Sequence, residues 1–292
     1  MKKRLIALFA ATPLLAALLL PSAAFAAKPV SEGGGAPKPT PTVEMKGYDV
    51  SYPQCGKRLP TDHYFGIVGV NGGNAATANS CLADQLVWAT TAKTGSNQSK
   101  FQVYVNTANP AQDTSYNWAS WPTTSFDSNG NRPVNPYGDC SGANDGACSW
   151  LYGWNRSIYT EGVFKAAANS KELNSNTSDY VWWLDIETMN SWQSGTNEAL
   201  IRNTAAIEGF GAYYESKGAD IGLYSTAVQW AEITGNNISA PSNLNGLPNW
   251  RPSGKSLANA KSNCSVAPLT PGGFISITQY VVKNLDNNHS CI

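Results

Sequence analysis

The alternation of two kinds of segment limits this chain more than any single motif. Short apolar runs, too unbroken for half-exposed strands, alternate with longer stretches at helical spacing. "GYDVS" (47–51), "FGIVGVN" (65–71), "FQVYVN" (101–106), "YVWWLDIE" (180–187) and "IGLYS" (221–225) read as strands. Residues 79–94 read as a helix, with Leu82, Leu86 and Ala89 on one face. Residues 156–170 and 226–234 read as two more, and 197–217 is the clearest, with Leu200, Thr204, Ile207, Gly211 and Tyr214 aligned. "LPNW" (247–250), "FISITQY" (274–280) and the tail "VVKNLDNNHSCI" supply the remaining strands. Strands that are apolar on both sides need cover on both sides, and strand–helix–strand order favours parallel pairing. Seven or eight such strands in one body favour closure over an open sheet. The later helices look short or absent. The expected fold class is therefore α/β, an irregular TIM-like (β/α) barrel with reduced helices near the C-terminus.

Residues 1–26 stand outside this rhythm. A basic start, an apolar run and an A-x-A end mark a secretory signal peptide cut after Ala26, with an uncleaved anchor as the alternative. Residues 27–45 are rich in Gly, Pro, Lys and Thr and read as a flexible leader. Residues 46–292, roughly 245 in number, suit one large domain. Without the three cations of the signal (Lys2, Lys3, Arg4), 17 basic residues face 20 acidic ones. There is no basic stripe, so nucleic acid is not an expected partner. No other run reaches membrane-spanning length, so no membrane association is expected after signal cleavage.

Six cysteines, Cys55, Cys81, Cys140, Cys148, Cys264 and Cys291, follow the secretory signal. An even count in that context points to three disulfides. Sequence order favours Cys55–Cys81, Cys140–Cys148 and Cys264–Cys291, among fifteen possible pairings. A zinc site is the weaker idea, since there is no C-x-x-C and only His63 and His289 are available. No metal and no cofactor are expected. Residues 107–155, full of Asn, Pro, Gly, Ser and Trp, read as a long loop at the rim, stapled by Cys140 and Cys148.

Two acids interrupt the fourth strand. Alternation puts Asp185 and Glu187 on one face, and Leu184 and Ile186 on the other. In a parallel barrel the first face points inward, and its C-terminal end opens at the active-site mouth. Crowded carboxyls in a partly dry pocket resist double ionisation, so one keeps its proton. A protonated acid beside an ionised one is what glycosidic cleavage needs. The competing reading is a structural pair bonded to backbone or arginine. Asp49, late in "GYDVS", and Asp286, in "NLDNN" where the last strand is expected to end, would join the pair in a barrel mouth. Each taken alone reads as a turn-capping Asp. Asn106 ends an inward face and is a candidate for bonding a sugar amide or for capping backbone. Of Gln279 and Tyr280, at most one meets substrate. Trp118, Trp121, Trp150 and Trp154 read as cleft residues or as anchors of the long segment, and Trp183 as part of the substrate wall.

"GYDVSYPQC", "FGIVGVNGG", "VWWLDIE", "IGLYSTAVQW" and "ITQYVVKNLD" resemble, in this order, glycoside hydrolase family 25, the secreted lysozyme-like muramidases. The resemblance covers nearly all of residues 46–289, with D-x-E and G-x-D-V-S its specific parts. It implies a glycoside-hydrolase-like barrel domain over 46–292. Glu187 would be the general acid, and Asp185 its partner, steering the substrate's N-acetyl group onto the anomeric carbon. Asp49 and Asp286 would be the flanking acids, and Tyr224 an aromatic bordering the cleft. The implied activity is retaining, N-acetyl-assisted cleavage of peptidoglycan glycan strands by a secreted or wall-associated monomer without metal. The alternatives are a non-catalytic wall-binding barrel and a hydrolase of another polysaccharide. The sequence departs from the family pattern at "VGVNGGN", at "YVNTANP", at "PNWRP" and in the length of 107–155, so it resembles a divergent bacterial branch.

Overall fold

The structure, a computed structural model, describes residues 44–111 and 121–292. The signal segment, most of the leader and Trp118 lie outside them. Eight strands close into one barrel in sequence order. They are β1 (Gly47–Val50), β2 (Phe65–Gly69), β3 (Phe101–Asn106), β4 (Val181–Asp185), β5 (Asp220–Tyr224), β6 (Pro248–Pro252), β7 (Phe274–Val282) and β8 (Leu285–Ser290). Five helices interleave: α1 (Leu82–Thr90), α2 (Gly146–Asn169), α3 (Asn197–Ser216), α4 (Ala227–Thr234) and α5 (Leu257–Asn263). Among the described residues no helix is long and apolar enough to cross a membrane.

The unbroken apolar runs have the expected cause, burial on both faces. Val68, Val103, Val105, Trp182, Leu184, Ile221 and Leu223 point outward into the layer under the helices. Trp182 stacks on Tyr214 of α3 at 4.3 Å and meets Phe164 of α2 edge-on at 5.1 Å. The barrel interior is small and aromatic, made of Phe65, Ile67, Trp183, Tyr224, Trp250 and Ile277. Gly222 makes room for Trp183, because a Cβ there would lie 2.3 Å from the indole. α2 and α3 touch backbone to backbone, and a Cβ on Gly209 would sit 1.9 Å from the Trp150 carbonyl oxygen.

The sequence reading needs three corrections. First, β8 is antiparallel to both β7 and β1, whereas β1 to β7 run parallel. The tail is half of a hairpin. Lys283 and Asn284 both have positive φ (53° and 59°), which makes a two-residue turn whose twist suits adjacent antiparallel strands. Second, α2 begins ten residues before the expected 156, because Asp145 caps it by accepting the Cys148 N–H at 2.8 Å. Trp150 and Trp154 are thus helical. They stack on each other at 5.1 Å in the outer layer instead of lining a loop cleft. Third, α5 was not anticipated. Ser256 caps it, accepting from Asn259 N–H.

The disulfides are Cys55–Cys81, Cys140–Cys148 and Cys264–Cys291. The second ties the end of the long segment to the first turn of α2. Trp121, in that segment, is half-buried and stacks over Tyr152 at 5.9 Å.

Candidate active site

The site sits at the end of the barrel where the parallel strands finish. Asp49 is the third residue of β1, Asp185 the last of β4, and Glu187 follows two residues later. Asp286 reaches the same end by another route. It lies at the start of β8, not at its end, but the reversed direction of β8 brings that start to the mouth. There it is the register partner of Asp49. Asp49 and Asp185 are buried, while Glu187 and Asp286 are half-buried.

Neutral donors hold Asp49 and Asp185. Asp49 Oδ1 accepts from Asn288 Nδ2 at 2.7 Å, and both Asp49 oxygens accept from Gln279 Nε2 at 3.1 Å. The donors are polarised in turn. Trp250 Nε1 donates to Asn288 Oδ1 at 2.8 Å, and the Tyr224 hydroxyl donates to Gln279 Oε1 at 2.8 Å. Asp185 Oδ2 accepts from Asn106 Nδ2 at 2.5 Å, whereas Asp185 Oδ1 is buried without a partner. The loop carrying Glu187 is pinned through its backbone. Trp192 Nε1 donates to the Glu187 carbonyl at 2.8 Å, and the Ser225 hydroxyl to the Ile186 carbonyl at 2.7 Å. The Asn109 N–H donates to the Ser191 carbonyl at 2.8 Å, joining the segment after β3 to this loop.

All four acids bind protons more tightly than usual. Burial comes first in each case. Burial and the Asp286 charge push Asp49 up to about 8. Burial, then Glu187, raises Asp185 well above the carboxylate range. Burial raises Glu187, with Asp286 adding to it and the Gln229 amide partly offsetting it. Burial raises Asp286. Asp49 also repels Asp185. The repulsions therefore link all four: Asp49 with Asp286, Asp286 with Glu187, Glu187 with Asp185, and Asp185 with Asp49. None of the ion pairs among the described residues involves any of them. Such a site can donate a proton near neutrality and stabilise a developing positive charge.

The other expected residues divide. Tyr224, Asn106 and Gln279 lie at the mouth, but their polar groups are engaged with one another and with the acids. Tyr280 is buried on the outer side. Trp183 does not reach the cleft. It is 1% exposed, inside the barrel below Asp185, with its Nε1 donating to Gln102 Oε1 at 2.7 Å. Tyr104 was missed. It is half-buried on the inward face between Gln102 and Asn106, its ring is 6.0 Å from that of Trp250, and its hydroxyl feels Asp185, Asp49 and Asp286. The alternation that placed Asn106 inward also places Tyr104 there.

No protein-family model matches the chain, and no curated protein matches it. Three solved structures are similar to it. The family GH25 lysozyme from Aspergillus fumigatus has 15% identity, covering 84% of this chain and 93% of that one, with a TM-score of 0.48. The muramidase from Trichobolus zukalii has 16% identity, the same two coverages and a TM-score of 0.46. The modular autolysin LytC from Streptococcus pneumoniae, solved with a synthetic peptidoglycan ligand, has 11% identity over 84% of this chain and 46% of that one, with a TM-score of 0.44.

Proposed function

We propose that the protein is a secreted glycoside hydrolase of N-acetylmuramidase type, cutting peptidoglycan glycan strands with retention of configuration. One observation carries this reading: four carboxyl groups, two of them hydrogen-bonded by neutral amides, share one open barrel end, and burial raises the proton affinity of each. Among the described residues no cation pairs with any of the four. The sequence signal and three disulfides support export to an oxidising compartment. The choice of substrate rests on the motif resemblance.

In the proposed reaction Glu187 supplies the proton. It is half-buried at the mouth, and burial, aided by the Asp286 charge, raises its hold on the proton. The proton passes to the glycosidic oxygen as the C1–O bond breaks. The acetamido carbonyl oxygen of the same sugar attacks C1 from the other face and forms a cyclic oxazolinium. Asp185 accepts the acetamido N–H and orients the group for attack. Water then attacks C1, Glu187 takes its proton back, and the acetamido group is restored. This is the substrate-assisted variant of retaining hydrolysis. Tyr104 and Tyr224 offer ring faces beside the acids.

The test compares purified wild type with Glu187→Gln on a cell-wall suspension and measures reducing-end release. Activity in wild type and its loss in the variant is the expected result. Retention on insoluble peptidoglycan with no release by either protein would mean a binding-only barrel. Release from chitin or a plant glucan, but not from peptidoglycan, would move the substrate class.

A further inference from the structure

We infer that Asn106 is a positioning residue that fixes the orientation of the Asp185 carboxyl group without imposing a charge on it. The inference rests on the hydrolase reading for the role of Asp185, but the Asn106–Asp185 contact is independent of it. Asn106 and Asp185 are register partners at the ends of β3 and β4, and both project into the mouth. Asn106 Nδ2 donates to Asp185 Oδ2 at 2.5 Å, and both residues are buried. Asp185 Oδ1 is buried without a partner, so the Asn106 amide is the side-chain hydrogen bond that sets the carboxyl's orientation.

Both ends of this contact are braced through the backbone. The Asn106 N–H donates to Asn71 Oδ1 at 3.0 Å, and Asn71 Nδ2 donates to the Thr77 carbonyl at 3.2 Å. The Asp185 carbonyl accepts from Thr107 N–H at 3.1 Å, Thr107 Oγ1 at 2.7 Å and Asn190 Nδ2 at 3.2 Å. Neither strand end can shift to relieve a misaligned side chain. Swinging the Asp185 carboxyl would break its hydrogen bond to the Asn106 amide while both groups are buried, at the cost of an unpaired polar group.

The choice of donor matters. Arg or Lys at position 106 would orient Asp185 but would also hold it ionised. An amide lowers proton affinity only in part. Asp185 therefore still responds to Asp49 from β1, Glu187 from the following loop, and the tyrosines it faces, Tyr104 on β3 and Tyr224 on β5. Its charge can then follow the reaction while its geometry stays fixed. The amide that the sequence suggested for a sugar is committed to the acid.

Asn106→Ala, Asn106→Asp and wild type would be compared by carbon-13 titration of aspartate carboxyls and by kinetics on a soluble peptidoglycan oligosaccharide. In Asn106→Ala the loss of a donor should move the Asp185 midpoint upward. Misplacing the group should cost about 10- to 100-fold in kcat, with KM little changed. Asn106→Asp should lose more at neutral pH and recover toward acid, where the new carboxyl is protonated and can donate. Asn106→Ser, a shorter donor, serves in the titration if the alanine variant does not fold. Normal kcat with an unmoved Asp185 midpoint would overturn the inference. So would a raised KM at unchanged kcat, which would make Asn106 a substrate contact. A shifted midpoint in a protein that hydrolyses nothing would sink the hydrolase reading and leave the positioning contact standing.

Discussion

The two ends of this barrel are both polar, yet they are built on opposite terms. At the closed end Gln98 Nε2 donates to the Ser276 carbonyl, Ser276 Oγ and Ser290 Oγ at 3.0, 3.2 and 3.1 Å. Gln102 Nε2 donates to the Ser99 carbonyl at 2.9 Å, and Gln102 Oε1 accepts from Trp183. These side chains border a hollow of about 430 Å³ rimmed by Phe274. The interior polar groups there are neutral, and their bonds are made. At the open end four acids face one another, one carboxylate oxygen lacks a partner, and every carboxyl is pushed above its ordinary range. Polarity and a hollow do not by themselves mark a reaction site. Unrelieved charge makes the open end the candidate, because the fold keeps an arrangement there that costs it stability.

The sharpest way to break this contrast is to alter one group at each end. Glu187→Gln should lower turnover about 10²- to 10⁴-fold, the usual weight of a general acid, with little change in melting temperature. Gln102→Ala should do the reverse. Leaving the Trp183 N–H unpaired in the interior should cost about 1–3 kcal/mol in denaturant unfolding, with turnover preserved. If Gln102→Ala abolished activity while Glu187→Gln merely destabilised, the two ends would have been assigned the wrong way round.

The remaining tests concern pH. Asp49 rises from 3.8 to about 8 on folding, so the native state binds its proton more tightly than the unfolded chain. The stability this group contributes is full below its unfolded value and is lost as pH climbs toward 8. Asp49→Asn cannot ionise. Its melting temperature relative to wild type should therefore increase steadily across that interval, and a flat difference would argue against the strained carboxyl. The smallest effect is expected from Asp286→Asn. Removing its charge relieves Glu187, lowers the Glu187 pKa and moves the alkaline limb of activity to lower pH. A limb that stayed in place would uncouple the two acids.

Much of this was legible before any coordinates. β3 and α3 were readable because periodicity and burial agree there, and the facing of Asp185 and Glu187 followed from alternation. The direction of β8 was not legible. "VVKN" is apolar enough to pass for strand, and the turn depends on two left-handed residues, neither of them glycine. Helix α2 was trimmed because its first turns carry Gly, Cys, Ser and Trp, residues that also suit a loop, and only the Asp145 cap decides the matter. Trp183 reads as substrate wall in the sequence because it shares a strand face with Asp185 and Glu187. Depth along a strand decides otherwise, two residues being enough to move a ring from wall to floor. The partners of Gln279 and Asn106 lie 230 and 79 positions away, beyond any local pattern.

The seam between β1 and β8 has a further consequence. Asp49 belongs to the first strand of the barrel and Asp286 to the last, and they meet on one rung. Asn288, which steadies Asp49, also comes with that final strand. The four acids of the candidate site therefore come together only when the hairpin of β7 and β8 pairs with β1.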